Sequence, residues 1–150
     1  DPRGRGSARV AGDLSVSVVR DAMVPEPTTL AATANAQDAG RAFADSPDTR
    51  ALFVADDDGT LVGVITRKTL VGEVVAAGLD PRDVRLGDIA EPPHYTIDAS
   101  LPLDEGFRML EELDLERVPV VEGGRLVGVL SRAVVQRRLA EDEPPAVEIV

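Results

Sequence analysis

The stretch Leu61-Val62-Gly63-Val64-Ile65-Thr66-Arg67 returns as Leu126-Val127-Gly128-Val129-Leu130-Ser131-Arg132. Upstream, Leu52-Phe53-Val54-Ala55-Asp56 is matched by Val118-Pro119-Val120-Val121-Glu122, and Asp21-Ala22-Met23-Val24-Pro25 by Asp88-Ile89-Ala90-Glu91-Pro92. Single-residue length changes are enough to keep the two copies in register. A duplicated unit of this size rarely buries its apolar face alone, so the halves are expected to pack together.

Each copy reads as β-α-β-β-α, which makes the fold class α/β. Thr28-Thr29-Leu30 and Tyr95-Thr96-Ile97 are short extended segments after prolines. The helix expected over 36–44 is Ala-rich, with Phe43 its one large apolar residue, and should form easily but pack thinly. In the second copy Ser100 is a candidate cap, Pro102 is tolerated in the first turn, and Asp104 and Glu105 suit the positive helix end. Leu103, Phe107, Leu110 and Leu113 then share one face. Asp57-Asp58-Gly59 and Gly123-Gly124 each join two β-rich runs as hairpin turns. Final helices follow at 68–77, stopped by Gly78, and at 133–140. The chain therefore divides into a tail over 1–16, repeats over 17–80 and 81–141, and a tail over 142–150.

A formal net charge of −11 and a pI near 4.5 argue against a nucleic-acid partner, which wants concentrated positive surface. A small anion in a locally basic pocket remains compatible. No apolar run reaches the length of a membrane span, and no secretory signal opens the chain. Asp1-Pro2 in place of an initiating methionine reads as a piece of a longer protein. There is no cysteine, hence no disulfide or thiolate metal site, and the expected location is cytoplasmic. The single histidine, His94, makes a histidine-based metal site or a Ser-His triad hard to build. Asp56-Asp57-Asp58-Gly59 resembles a fragment of a calcium loop without the remaining ligands, and reads as a solvated hairpin tip. Arg3, Arg5 and Arg9 read as part of a solvated tail. No nucleophile sits in a pattern with a base, so the chain is read as non-enzymatic.

The duplicated Leu-Val-Gly-Val-(Ile/Leu)-(Thr/Ser)-Arg strand, the Arg117-Val118-Pro119-Val120-Val121 run and the short opening segments with Asp and Met or Ile resemble a tandem pair of CBS (cystathionine β-synthase-type) domains, a Bateman module. The resemblance spans about 17–141. It implies two repeats packed about a pseudo-twofold axis, with inter-repeat clefts that take adenosine-containing ligands such as AMP, ADP, ATP or S-adenosylmethionine. It also implies a homodimer that regulates an attached or partner enzyme or transporter. No cofactor is required, and an adenine nucleotide is the candidate effector. In the family the cleft is lined by a Gly-x-x-(Thr/Ser)-x-x-Asp strand exit and by the first strand of the unit. The candidate ligand residues are thus Thr28, Gly63, Thr66, Arg67 and Thr69 in the first copy, and Tyr95, Gly128, Ser131 and Arg132 in the second. Arg50 and Arg117 precede the second strand of each unit, where the resemblance implies phosphate contacts.

Residue chemistry leaves two readings open. Gly63 and Gly128 lack a Cβ, so either another backbone or a flat base can approach. Thr66 and Ser131 can cap the following helix or help hold an anion, Arg67 and Arg132 can add positive charge there or only face solvent, and Arg50 and Arg117 can meet phosphate or form a surface ion pair. Tyr95 can stack on a base or cover the core edge. The family's ribose-binding Asp falls at Thr69 and Val134, so one site keeps a single hydroxyl and the other keeps none. The first site should therefore hold ribose better than the second. The alternative, favoured by the two missing carboxylates, is a ligand-free dimerisation or interaction scaffold. Leu70, Val71, Val74 and Val75, and less densely Val134, Val135 and Leu139, are the expected apolar outer faces of a homodimer.

Overall fold

The computed structural model describes residues 17–25 and 27–142. Its elements run α1 (Val19–Ala22), β1 (Val24–Pro25), β2 (Thr29–Ala31), α2 (Ala36–Asp45), β3 (Ala51–Ala55) and β4 (Leu61–Thr66). Next come α3 (Arg67–Leu70), a π-helical turn over Val71–Val75, a 3-10 turn over Pro81–Asp83 and α4 (Leu86–Ile89). The chain continues through β5 (Ile97–Asp98), α5 (Leu103–Glu112), β6 (Arg117–Glu122), β7 (Arg125–Ser131) and α6 (Arg132–Asp142). This is the mixed α/β architecture expected from the duplicated pattern. The tail with Arg3, Arg5 and Arg9, and the residues after 142, lie outside the described residues.

Two units can be distinguished by their internal packing. In the β2–β4 unit (27–95 and 123–126), β2 lies parallel to β3 with Thr29 opposite Phe53, and β3 antiparallel to β4 with Ala51 opposite Thr66. Inward-facing Leu52, Val54 and Ile65 meet Ala36, Ala39 and Phe43 of α2, closed over by Val74, Val84 and Leu86. The Ala-rich helix does pack through small residues, with Phe43 as its one bulky insert. Its cap is Asn35, whose Oδ1 accepts from Asp38 N at 2.9 Å while Asp38 returns a carboxylate to Asn35 N at 3.3 Å. Both helix-end donors are thereby satisfied.

In the β5–β7 unit (17–25, 96–122 and 127–142) the strand order is β1-β7-β6-β5. Val24 lies opposite Val129 in antiparallel register, and Ile97 opposite Val120 in parallel register. Val19, Ile97, Leu103, Leu110, Val118, Val120, Leu130 and Val135 form its core. The opening segment of each sequence repeat thus completes the unit holding the other repeat's hairpin. Residues 17–25 belong with β5–β7, and α4 with Glu91 belongs with β2–β4, where Glu91 pairs with Val64 on the sheet edge.

Turn chemistry follows the sequence. Gly59 (φ 89°), Gly123 (φ 60°) and Gly124 (φ 81°) take the positive φ that hairpin turns require. Three local expectations are corrected. Ser100 does not cap α5: Pro102 is the N-cap residue, and the Ser100 amide and hydroxyl both donate to Asp98 Oδ2, which holds that carboxyl below its usual range. The strands begin at Thr29 and Ile97, so Thr28 and Tyr95 precede them. The helix after β4 rewinds into a π turn that buries Val74 and half-buries Leu70, leaving Val71, Val75 and Leu79 outside. In α6, Val135 is buried and Val134 and Leu139 are half-buried. Among the described residues no helix is long and apolar enough to cross a membrane.

Candidate functional site

Strand register gathers several of the candidate residues at one end of each sheet. In the β2–β4 unit, Thr28 directly precedes β2 and Arg50 directly precedes β3, and β4 leaves at Thr66 opposite Ala51. Thr28 and Arg50 are both exposed. In the β5–β7 unit, exposed Arg117 opens β6 beside Glu116, whose carbonyl accepts from Arg132 N at 2.9 Å. Tyr95 is half exposed just before β5, tilted against His94 with ring centroids 6.5 Å apart.

Thr66 and Thr69 form a reciprocal cap. Thr69 N donates to Thr66 Oγ1 at 3.2 Å, and Thr66 N donates to Thr69 Oγ1 at 3.1 Å. The two hydroxyl oxygens are 3.0 Å apart, and Thr69 Oγ1 donates to Glu91 Oε2 at 3.3 Å. A hydroxyl has one proton and two lone pairs. With its proton on Glu91, Thr69 accepts from Thr66 N and from the Thr66 hydroxyl. Its capacity is then full, and it is only 2% exposed. The Thr69 hydroxyl is thereby linked to the carboxylate of residue 91. In the β5–β7 unit Ser131 Oγ accepts from Val134 N at 3.3 Å, and Val134 carries no polar group to extend the chain.

The paired arginines work on the loops between helix and strand. Arg67 donates to the carbonyls of Thr49 (2.6 Å), Phe43 (3.1 Å), Pro47 (3.2 Å) and Ser46 (3.4 Å), with its guanidinium 4.7 Å above the Phe43 ring. A cation there meets the negative end of α2 and the face of an aromatic ring. Arg132 plays the same part after α5 with carboxylates, pairing with Glu116 Oε2 at 2.7 Å and Asp114 Oδ1 at 3.2 Å. These bonds hold its guanidinium above the ordinary arginine range. Asp114 itself turns the chain with φ 53°, a conformation Asp tolerates better than most residues. Arg132 is thus held in ion pairs rather than simply facing solvent. Arg67 is a carbonyl clamp, a use the sequence reading did not weigh.

The glycines resolve in favour of backbone approach. A methyl built on Gly63 would lie 2.6 Å from Glu91 O, and Val64 and Glu91 exchange both backbone hydrogen bonds at 2.8 and 2.9 Å. On Gly128 it would meet Met23 Sδ at 2.5 Å and Val24 O at 2.8 Å. Each bare strand position is filled by an opening segment. Glu91 was passed over as a site residue, and its signal was the one place where the opening segments differ sharply, Glu91 against Val24.

Comparison with known proteins agrees with this arrangement. The CBS domain family matches residues 19–76 and 86–141. Hypoxic response protein 1 of Mycobacterium tuberculosis is 37% identical over 94 residues, covering 63% of this chain and 66% of that protein, just under two thirds of its length. A crystal structure of Hypoxic Response Protein I with two coordinated zinc ions superposes with a TM-score of 0.66 at 31% identity, covering 81% of this chain and 98% of that one. A crystal structure of CBSX2 in complex with AMP gives a TM-score of 0.66 at 26% identity, over 83% of this chain and 96% of that one. With both repeats matched and the fold shared over most of its length, the chain belongs to the CBS domain family and is a regulatory CBS pair.

Proposed function

We propose that this CBS pair is a non-enzymatic sensor of an adenosine-containing ligand, held at the strand-exit end of the β2–β4 unit, that controls an attached or partner protein in the cytoplasm. The observation that carries this reading is the likeness to CBSX2, a structure in complex with AMP, over 83% of the chain. Thr28, Arg50 and Thr66 at one sheet end supply polar and cationic groups suited to a nucleotide. Titration calorimetry with AMP and ATP should show binding in the parent. Val134→Asp should strengthen the β5–β7 site about tenfold to a hundredfold, the worth of one hydrogen bond to a charged group. No heat from the parent at millimolar ligand, and none from Val134→Asp, would remove the sensor reading.

The scaffold alternative has its own support. Arg67 and Arg132 are committed to loop carbonyls and carboxylates, and Val134 offers nothing to a ribose. Self-association is part of either reading. Val71 and Val75 in the π turn are 57% and 72% exposed, and Leu79 beyond it is 51% exposed, apolar side chains whose burial favours a second copy. Sedimentation equilibrium at micromolar concentration should give a homodimer, and Val75→Lys should shift it towards the 15.8 kDa monomer. A monomeric parent over that range would refute it. The zinc of the Hypoxic Response Protein I structure is not carried over. Among the described residues no three His, Cys, Asp or Glu side chains come together as a metal site, and the chain has no cysteine and one histidine.

A further inference from the structure

The two repeats carry an internal comparison at their strand exits. Where β4 leads into α3 the paired positions are Thr69 and Glu91, and where β7 leads into α6 they are Val134 and Val24. Val64 bridges to Glu91 as Val129 bridges to Val24, so these are corresponding places in the two units. One unit is polar at both positions and the other apolar at both.

In the polar unit the carboxylate has a fixed root. Glu91 N and O are both bonded to Val64, and its Oε2 accepts from the buried Thr69 hydroxyl. That hydroxyl has its own geometry fixed by Thr66 on two sides, so it orients the carboxylate and offers nothing more. The Glu91 side chain is exposed, and Oε1 together with the second lone pair of Oε2 is suited to accept further hydrogen bonds. A carboxylate held in this way matches a vicinal diol, whose two hydroxyls donate to it side by side.

We propose that Glu91 is the diol-binding group of this protein, with Thr69 as its positioning residue, and that the chain binds one ribose-containing ligand, at the β2–β4 unit. The inference rests on the adenosine reading above and adds the residue and the stoichiometry. It puts the ribose carboxylate on the opening segment of the second repeat, in place of the missing Asp of the strand exit. Ligand binding then bears directly on the segment that fills the bare face of Gly63.

Calorimetric titration of the full chain with AMP and with 2′,3′-dideoxy-AMP tests it, in the parent and in Glu91→Gln. The parent should bind AMP at one site per chain and prefer it over the dideoxy nucleotide. Glu91→Gln should weaken AMP about tenfold, as the loss of a charge-assisted bond implies, and leave the dideoxy nucleotide unchanged. Unfolding is not an expected complication, because the side chain is exposed and only its amide and carbonyl hold the sheet edge. Equal loss for both nucleotides, no loss for AMP, or two equivalent sites would overturn the assignment while leaving adenosine binding intact. No AMP binding in the parent at millimolar concentration would overturn the assignment, and none in Val134→Asp as well would overturn the adenosine reading with it.

Discussion

Gly63→Ala is expected to lower stability by about 2–4 kcal/mol, the combined cost of overpacking and of weakening the two hydrogen bonds between Val64 and Glu91. The methyl would lie 2.6 Å from the Glu91 carbonyl and 3.0 Å from Ala90 Cβ, so a backbone would have to move rather than a flexible side-chain end. For a chain of this size that corresponds to a melting point roughly 4–16 °C lower. Gly72→Ala is the control, because a methyl there meets nothing within 4 Å and the residue is exposed. A surface change of that kind usually stays within about 0.5 kcal/mol. If thermal melts of the two variants coincide, the Glu91 segment does not lie across Gly63. Gly128→Ala should be destabilising too, since its new methyl would meet the Val24 carbonyl at 2.8 Å as well as the flexible Met23 side chain at 2.5 Å.

Leu86→Ala should cost about 2–5 kcal/mol, the range for truncating a buried leucine with partial collapse of the cavity. Leu86 is fully buried among Phe43, Leu52, Val54 and Ile65, and its amide donates to Ala34 O at 2.8 Å. It comes from the second sequence repeat, yet its neighbours come from the first. Leu79→Ala, at a half-exposed leucine a few residues upstream, should change the urea midpoint by far less. Equal midpoints would mean that α4 is not part of that core.

Much of this was legible in the sequence because the same solution is written twice. The hairpins could be placed from Asp57-Asp58-Gly59 and Gly123-Gly124, where few other residues tolerate the required φ. The helix expected over 36–44, one residue short of α2, followed from its Ala-rich composition, and the strand exits from the repeat. Ser100 misled because an Asp two residues earlier competes for its amide and hydroxyl, a local turn that periodicity does not register. Thr66 could be read as either a cap or an anion contact, and the reciprocal bond with Thr69 needs the geometry of the turn. Arg67 was read from its place in a motif. Its partners at Phe43 and Thr49 are distant in sequence, and a bond to a backbone carbonyl leaves no trace in residue types. Glu91 was hidden for a related reason, since only the sheet register brings it to Thr69.

The exchange of opening segments also orders events as the chain emerges during synthesis. The β2–β4 sheet, its helix and α4 are drawn from a continuous run, so this unit can collect most of its core early, and the hairpin tip over 123–126 adds later. The segment holding Val19 and Val24 emerges first among the described residues but finds its partners last. Val24 pairs with Val129, and nearly the whole described chain lies between them. Closing so long a loop is entropically expensive and slow. Until β7 appears, the apolar residues of this segment have no finished sheet to cover. Refolding of the whole chain should then show its slow step as the protection of the Val19 and Arg20 amides, which donate to the Leu101 and Ala99 carbonyls, after those of β3 and β4 are already protected.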